Sequence, residues 1–346
     1  MAYTTIKKPS DYFNTKLYTG NGSSGHAITG VEHQPDLTWI KQRSGAEWHT
    51  LIDSVRGVTK YINSNDAAAE RTSSNFIESF DSNGFTLGSA NDINQNSATY
   101  ASWNWLANGA GVANTDGSIS STVSANTTSG FSIVSWTGTG SASTIGHGLS
   151  SAPKMVIVKS RSAAGEWTTW HTGINIQAKL SLNTTDAIYN PGSGLYWNST
   201  LPTSSVFSVG TSGGVNGSGK TYVAYCFAEK QGFSKFGSYT GNGSTDGTFI
   251  YTGFKPAFVI FKNTTTANRQ WYLMDNKRNT YNVANIVLAP NQANDESWWG
   301  TGNNADFLSN GIKIKSNSDI NNSGDNYIYM AFAEQPLVGD NPATAR

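Results

Sequence analysis

Three long segments of this chain repeat one another, and that repetition constrains the fold more than any single motif. Each copy begins with a Thr-Gly-x-Gly motif, continues into a proline-led apolar run that ends in lysine, and closes on a tyrosine-led apolar run. The motifs are YTGNG at 18–22, WTGTG at 136–140 and YTGNG at 239–243; the proline-led runs are 35–41, 153–159 and 256–262; the closing runs are 100–105, 222–227 and 327–332. Repeats of roughly 100 residues are long enough for small domains. We therefore predict three modules of one kind, like beads, each with its own core.

Short runs of β-branched and aromatic residues fill each copy, separated by clusters of Gly, Asn, Ser and Asp. No stretch has a sustained helical period, and about seven strands per copy predict tandem antiparallel β-sandwiches, jelly-roll-like, in an all-β protein. Modules 2 and 3 meet with almost no linker and should pack as a rigid pair, and the linker carries at most one edge strand, near 119–123. The predicted segments are module 1 at 1–110, a Gly/Ser/Thr/Asn-rich linker at 111–130, module 2 at 131–231, module 3 at 232–335 and an extended tail at 336–346.

The closing run of each copy alternates bulky with smaller residues, which predicts a strand with one face on a core. Pro35, Pro153 and Pro256 should stand at strand starts, where a missing N–H costs no ladder hydrogen bond. Recurring tryptophans are expected to be core residues, and the lone cysteine a small buried thiol. The bulky sets are Ala101, Trp103, Trp105; Val223, Tyr225, Phe227; Ile328, Met330, Phe332; the tryptophans are Trp48, Trp167 and Trp271; the thiol is Cys226.

Composition limits the classes of protein to which this chain can belong. Only 13% of its 346 residues are charged and the formal net charge is zero, whereas a nucleic-acid binder needs Lys and Arg to neutralise phosphate. The first ten residues lack the apolar core of a signal peptide, no run reaches transmembrane length, and one cysteine excludes an internal disulfide. Folding in a cytoplasm, with a Gly-, Thr- and aromatic-rich surface suited to the outside, fits a virion protein.

Four long blocks resemble a family of marine bacteriophage structural proteins, from phages of cyanobacteria and pelagic bacteria, described as tail fibre or virion proteins. The blocks are YFNTKLYTGNG, QPDLTWIKQRSGAEWHTLIDSVRG, SANTTSGFSIVSWTGTGSASTIGHGLSSAPKMVIVKSRS and FSKFGSYTGNGSTDGTFIYTGFKPAFVIFK. The resemblance spans essentially the whole chain and implies a virion protein, assembled in the host cytoplasm beside other virion proteins. The family defines no functional residues. The chain also shows no particle-attachment domain or coiled-coil stalk of the kind with which fibres usually begin, which keeps a capsid-decoration role open.

The segment GVNGSGKT at 214–221 matches the phosphate-binding pattern G-x-x-x-x-G-K-[ST] letter for letter. Such a loop needs a strand before it and a helix after it, so that backbone N–H groups and the helix dipole face the phosphates. Here the closing run of module 2 follows, and we predict that it is a strand. We therefore interpret the segment as a Gly/Asn hairpin loop, not as a nucleotide site.

Lys41, Lys159 and Lys262 end the three proline-led runs, and Arg43 and Arg161 follow two residues later in the first two copies. One hypothesis is a repeated site for an anionic ligand. The interpretation we favour is that these cations lie at strand ends, with stems that cover apolar surface and heads that reach water. The third copy lacks the arginine, which weakens a shared binding site.

Two aromatic pairs fall outside the repeated strands and are candidates for ligand binding. Trp298 and Trp299 lie in NDESWWGTGNN, and Tyr196 and Trp197 lie in GSGLYWNST. A flat ring beside amide side chains is a platform on which a sugar ring can stack. The alternative, favoured by how often large aromatic residues are buried, is that these rings pack as an irregular part of the core.

No catalytic or metal-binding pattern stands out. The histidines show no paired spacing, one cysteine excludes a thiolate zinc site, and no G-x-S-x-G element is present. Asp319, Asn321 and Asp325 could offer oxygen ligands to calcium, although their spacing is more often that of a solvated hairpin. We expect no cofactor and no enzymatic activity.

The main hypothesis is a virion structural protein, a tail fibre or adhesin that displays a face for host-surface glycan or envelope, without membrane insertion. The first alternative is a decoration protein that bridges capsid subunits. The second is a depolymerase of surface polysaccharide, which would need a pair of carboxylates in a cleft. A homotrimer is compatible with the sequence, since three modules could also supply approximate threefold symmetry within one chain.

Overall fold

The structure, a computed structural model of the chain, describes residues 3–298, 302–339 and 342–344. Within these ranges helix is confined to a 3-10 turn at Pro9–Asp11 and one turn of α-helix, α1, at Asn91–Asn94. The rest of the regular structure is antiparallel strand, so the predicted all-β class is confirmed. No helix in the described part of the chain is long and apolar enough to cross a membrane.

Module 1 contains nine strands in two sheets. The strands are β1 Phe13–Thr19, β2 His26–Thr29, β3 Leu37–Gln42, β4 Thr50–Asp53, β5 Lys60–Asn63, β6 Arg71–Thr72, β7 Ile77–Asp81, β8 Gly84–Leu87 and β9 Thr99–Trp105. The larger sheet, called here the main sheet, has the order β1-β9-β3-β4-β5-β6, and the smaller outer sheet has the order β2-β8-β7.

Module 2 also contains nine strands. They are β10 Val112–Asn114, β11 Ser121–Asn126, β12 Phe131–Thr137, β13 Ser143–Gly146, β14 Met155–Ser160, β15 Thr168–His171, β16 Leu180–Ser181, β17 Val206–Val209 and β18 Thr221–Phe227. The main sheet has the order β10-β11-β12-β18-β14-β15-β16, and β13 and β17 form the outer sheet. The predicted linker at 111–130 is therefore wrong, because β10 and β11 extend the main sheet at one edge. Their polar, aromatic-free sequence suits an edge exposed to solvent.

Module 3 contains seven strands. They are β19 Ser234–Thr240, β20 Phe249–Tyr251, β21 Phe254–Asn263, β22 Trp271–Asp275, β23 Ala305–Leu308, β24 Gly311–Ile314 and β25 Asn326–Pro336. The main sheet has the order β19-β25-β21-β22, and the outer sheet has the order β20-β24-β23. Pro256 does not start its strand as predicted. It lies inside β21 at an irregularity of the register against β25, where an unpaired N–H is tolerated.

Four strands occur in the same order in every main sheet. The strand that carries the Thr-Gly-x-Gly motif pairs with the closing strand, which pairs with the proline-led strand, which pairs with the next strand along the chain. The orders are β1-β9-β3-β4, β12-β18-β14-β15 and β19-β25-β21-β22. Every ladder between two of the named strands joins strands of one module, so the sequence repeats correspond to a repeated strand arrangement.

The Thr-Gly-x-Gly loops follow β1, β12 and β19 and are each held by a buried asparagine. In the three modules, the Oδ1 atoms of Asn94, Asn216 and Asn321 accept backbone N–H groups from the loop, those of Asn21 (3.0 Å), Thr139 (2.9 Å) and Asn242 (3.1 Å). A Cβ atom on the first glycine would lie 2.2–2.5 Å from a backbone oxygen in every copy, at Gly20, Gly138 and Gly241. The motif is therefore required by a close backbone approach.

The main sheets also pack against one another at the centre of the molecule. Trp105, Phe227 and Phe332 occupy equivalent positions in the three closing strands. Their ring centroids are 6.3 Å apart for Trp105 and Phe227, 6.0 Å for Phe227 and Phe332, and 5.7 Å for Trp105 and Phe332. This central triangle belongs to the largest hydrophobic cluster, which contains residues of all three modules.

The prediction that each module has a core of its own is therefore wrong for one face of each main sheet, which packs against the other modules. The bulky side of each closing strand packs against the other modules, while the opposite side packs against its own outer sheet. In module 1, Tyr100 faces the sandwich core and Trp103 and Trp105 face the centre. Both faces of the main sheets are buried, and the strands β3 and β14 contain only buried residues as a result.

Candidate functional site

The recurring lysines are fully buried where neighbouring modules meet, a contact that we call a seam. The predicted placement of their heads in water is wrong, because Lys41, Lys159 and Lys262 all have 0% exposure. Their ammonium groups donate to main-chain carbonyls: Lys159 to Ala67 (3.0 Å) and Gly165 (3.1 Å), Lys262 to Thr185 (3.2 Å) and Arg269 (2.5 Å), and Lys41 to Gln42 (2.6 Å) and Gly45 (3.0 Å).

These lysines hold the modules together rather than bind an anion. Ala67 belongs to module 1 and Thr185 to module 2, so two of the lysines reach across to the preceding module. Burial lowers the pKa of Lys41 and Lys159 to about 8 and that of Lys262 to about 7. An ammonium group enclosed by carbonyls presents no open side to an anionic ligand.

All three seams share one main-chain hydrogen bond, so the three modules form a closed ring. The residue two positions after the buried lysine accepts, through its carbonyl, an N–H from the preceding module. The pairs are Glu70 to Arg161 (2.9 Å), Ile188 to Thr264 (3.3 Å) and Glu296 to Arg43 (3.3 Å). Module 1 thus contacts module 2, module 2 contacts module 3, and module 3 contacts module 1.

The two arginines that the sequence analysis noted form ion pairs across two seams. Arg161 donates to Glu70 through Nε (2.9 Å) and Nη2 (3.0 Å), and Arg43 donates to Glu296 through Nε (2.9 Å) and Nη2 (2.8 Å). The third seam has Thr264 in the arginine position, and its partner position holds Ile188 instead of a glutamate. The third seam therefore lacks both members of the ion pair, the arginine and the glutamate.

A deeper set of polar contacts surrounds two buried aspartates. The carboxylate of Asp53 accepts from Arg56 Nε (2.5 Å) and from the Tyr225 hydroxyl (2.8 Å) of module 2. In module 3, Asp275 is held in the same way by Arg278, and it accepts the Trp103 indole N–H at 3.1 Å. Both carboxylates are buried and occupied by their partners, so they stabilise the seams.

The candidate aromatic residues have different environments. Trp197 is 3% exposed, and its indole N–H donates to the Ala178 carbonyl at 3.0 Å, so the prediction that its ring face is open to a ligand is wrong. Its neighbour Tyr196 is half-buried in the wall of an open cleft. Trp298 is 70% exposed and remains a candidate, whereas Trp299 lies outside the described residues. Sequence neighbours thus differ in environment because adjacent side chains point in different directions.

The prediction that the recurring tryptophans are core residues is wrong for module 1. Trp167 and Trp271 are fully buried, but Trp48 is 37% exposed beneath the Arg71 guanidinium, 4.9 Å from its ring centroid. The structural counterpart of Trp167 is His49, one residue further along. Backbone N–H groups of the three equivalent residues donate to equivalent asparagines: His49 to Asn65 (2.9 Å), Trp167 to Asn183 (2.9 Å) and Trp271 to Asn291 (3.1 Å).

The cleft beside Tyr196, which we call the module 2 cleft, has a volume of about 730 Å³ and lies at the seam with module 3. Its walls carry Tyr189 and Tyr196, whose ring centroids are 6.2 Å apart with planes at 85°. The Lys179 ammonium lies 5.9 Å from the centroid of Tyr189 and 5.4 Å from that of Tyr196. Lys179 also donates to Glu166 and, at 2.8 Å, to the Ser181 hydroxyl.

Sequence patterns do not reveal most of this cleft. Lys179, Tyr189, Lys220 and Glu166 share no motif. Burial alone would raise the pKa of Glu166, but hydrogen bonds from Lys179 and Ser181 outweigh that effect and lower it. An alignment of the modules on Asn65 and Asn183 would have shown that Tyr189 replaces Arg71, and this is the signal that was available.

The phosphate-loop lookalike at 214–221 connects β17 of the outer sheet to β18 of the main sheet. A strand follows it, as predicted, so the segment lacks the helix that phosphate binding requires. The hairpin interpretation is wrong, because β17 pairs with β13 while β18 pairs with β12 and β14.

The suggested calcium ligands point to different partners. Asp319 pairs with Arg269 at 2.8 Å, Asn321 holds the Thr-Gly-x-Gly loop of module 3, and Asp325 accepts the Asn263 amide at 2.8 Å. Carboxylates that already accept protein donors are poorly placed to gather around a cation. Among the described residues, no group of three or more His, Cys, Asp or Glu side chains could hold a metal ion.

The comparisons with known proteins give a family but no activity. The chain belongs to DUF7483, a family described as a domain of unknown function, whose model matches residues 8–336. A search among curated proteins found no match. The matched range includes all three modules and the module 2 cleft.

Proposed function

We propose that this member of the DUF7483 family is a non-enzymatic structural protein of a bacteriophage virion, acting as a tail fibre or adhesin that contacts glycan on the host surface. The observation that carries the proposal is the closed ring of three modules around the central triangle of Trp105, Phe227 and Phe332. A rigid ring built from one chain suits a particle component that must display surface side chains without changing shape.

The sequence blocks that resemble marine phage structural proteins support the same proposal. The surface chemistry is also compatible with it, because the chain has no net charge and its polar residues are mostly Gly, Ser, Thr and Asn. Such a surface attracts polyanions weakly, so specific binding must come from aromatic faces and hydrogen bonds.

An enzymatic role has less support from the geometry. A glycosidase needs one carboxyl that is protonated near neutral pH and a second carboxylate across a cleft. In the module 2 cleft the pKa of Glu166 is lowered, which removes it as a general acid at neutral pH. Asp53 and Asp275 are enclosed in the seams.

One observation favours the capsid-decoration alternative. The ring has approximate threefold symmetry, and a single chain of that kind could occupy a position where three coat subunits meet. Decoration and attachment differ in where the protein is placed on the particle and in whether the isolated protein binds cells.

Two measurements on the whole protein test the proposal. Labelled antibody against the chain, imaged on purified virions, should mark the tail, and fluorescently labelled protein should bind host cells in a saturable way. Label on the shell without cell binding would favour decoration. Absence of label from the particle would refute a virion role.

A further inference from the structure

We infer that the module 2 cleft binds one neutral sugar ring of a host-surface saccharide. This inference rests on the proposed function for the source of the ligand, but the cleft itself is argued from the residues that form it.

The aromatic walls can stack on a sugar ring. Tyr189 is 51% exposed, so much of its ring faces solvent and not the protein. The Lys179 side chain, only 9% exposed, lies behind it and fixes both tyrosine rings by cation–π contact. A ring held in place before binding loses little side-chain entropy when a pyranose stacks against it.

Polar groups around the tyrosines suit hydroxyl groups. Glu166 uses Oε2 for Lys179 and Ser181, and its other oxygen has no partner among the described residues although the side chain is 45% exposed. That oxygen can accept a hydrogen bond from a sugar hydroxyl. The Lys220 ammonium lines the same cleft and forms no ion pair within the described residues, so it can donate to another hydroxyl.

The charge of the cleft favours a neutral ligand. Two cations, Lys179 and Lys220, are balanced by two anions, Glu166 and Asp186, among its lining residues. A sulfated or carboxylated sugar stacked on Tyr189 would meet the exposed carboxylate of Glu166, which repels it. A neutral ring avoids that repulsion and keeps the hydroxyl contacts.

The same place carries different side chains in module 1, which shows that the fold does not require a tyrosine cleft. Tyr61, the counterpart of Lys179, stacks on Phe76 with centroids 4.0 Å apart. Arg71, the counterpart of Tyr189, covers Trp48 and donates to Asp66 at 2.6 Å. In module 1 the side chains at these positions are therefore engaged with their own neighbours.

Module 3 carries different side chains at three of the equivalent positions. The positions of Glu166, Lys179 and Tyr189 are taken by Gln270, Val287 and Ser297, respectively. The tyrosine cleft is therefore specific to one module of the ring. A single sugar site of this kind is expected per chain.

The test is calorimetric titration of the full chain with neutral oligosaccharides of glucose, galactose, mannose and N-acetylglucosamine, and with sulfated and uronic-acid oligosaccharides. We expect binding to at least one neutral series, with an affinity that stays within about twofold when sodium chloride is raised to about 0.5 M, since exposed charges are screened at that concentration. Tyr189→Ala and Glu166→Gln should each weaken the neutral ligand about tenfold or more, the cost of losing one stacking or hydrogen-bonding group.

Tyr281→Ala is the matched control, because Tyr281 is 80% exposed on module 3 and remote from the cleft in sequence. It should leave the affinity unchanged, and both Tyr189→Ala and Tyr281→Ala should melt as the wild type does. Wild-type affinity in Tyr189→Ala, binding restricted to anionic oligosaccharides, or no binding to any of the series would each overturn the inference.

The cell-binding assay separates this inference from the proposed function. If Tyr189→Ala binds host cells as the wild type does, the cleft is not the attachment site although an adhesin role stands. If the wild type binds neutral oligosaccharide but not host cells, the sugar site stands and the adhesin role fails.

Discussion

Replacing Arg161 with threonine tests whether the ion pairs stabilise the seams, and the molecule supplies its own control. The Arg161–Glu70 pair joins modules 2 and 1 by two hydrogen bonds, and the side chains are 22% and 10% exposed. The corresponding position of the third seam already holds Thr264 opposite Ile188. Arg161→Thr therefore introduces a threonine of the kind that the third seam accepts opposite isoleucine. At this seam, however, the threonine would lie opposite a glutamate.

The expected loss in the free energy of unfolding lies between two limits. An exposed pair contributes about 0–1 kcal/mol, while removing one partner of a fully buried pair costs about 3–5 kcal/mol. With Glu70 mostly buried, Arg161→Thr should lower the free energy of unfolding by about 2 kcal/mol. In Arg161→Thr the Glu70 carboxylate keeps only a longer contact, 3.4 Å, with Arg56 Nη1. Glu70→Ile added to Arg161→Thr removes the carboxylate that has lost its main partner but also this contact, so the double variant should recover about half of the loss.

Urea unfolding, followed by tryptophan fluorescence, measures both effects as shifts of the midpoint at unchanged slope. Arg43→Thr with Glu296→Ile repeats the experiment at the other paired seam and should give the same pattern. A single variant as stable as the wild type would show that the pair contributes nothing. A double variant less stable than Arg161→Thr would show that the threonine and isoleucine of the third seam cannot replace the arginine and glutamate of this seam.

Other perturbations reach the core, the buried lysines and the loop at 214–221. Trp105→Ala removes one ring of the central triangle and should cost about 3–5 kcal/mol in urea unfolding; a loss below about 1 kcal/mol would contradict a tightly packed centre. Because burial lowers the pKa of Lys41 and Lys159 to about 8 and of Lys262 to about 7, the folded chain binds fewer protons than the unfolded chain above those values. The free energy of unfolding should therefore rise between pH 7 and 9, by about 2–3 kcal/mol per pH unit for the three lysines together, and Lys262→Met should reduce the slope; a flat profile would argue against buried ammonium groups. ATP at millimolar concentration should cause no thermal shift, whereas a micromolar phosphate site would add about 4 kcal/mol and would be lost in Lys220→Ala.

Local sequence determined the strands and the loops of this protein. The Thr-Gly-x-Gly motifs specify glycine because a backbone oxygen would lie 2.2–2.5 Å from a Cβ atom at the first glycine. The proline-led and closing runs are long and apolar because strands buried on both faces need no polar side. Those requirements act within one strand or turn, so they leave a pattern that repeats along the chain.

Tertiary structure decided against which surfaces those strands pack. The same alternation in the closing strand fits a module with a core of its own or a module that shares a centre with two others, and only the packed ring distinguishes them. The difference between Trp197 and Tyr196, or between Trp48 and His49, is one residue of register, which sequence composition does not specify.

The seams and the module 2 cleft join residues that are far apart in sequence and have no local pattern. Glu70 and Arg161 are 91 positions apart, and the carbonyls around the buried lysines carry no side-chain identity at all. The sequence by itself determined three repeated β modules with their strands and turns. The ring, its buried cations and the one open tyrosine cleft depend on which surfaces meet, because burial, pairing and access are properties of the packed chain and not of its segments.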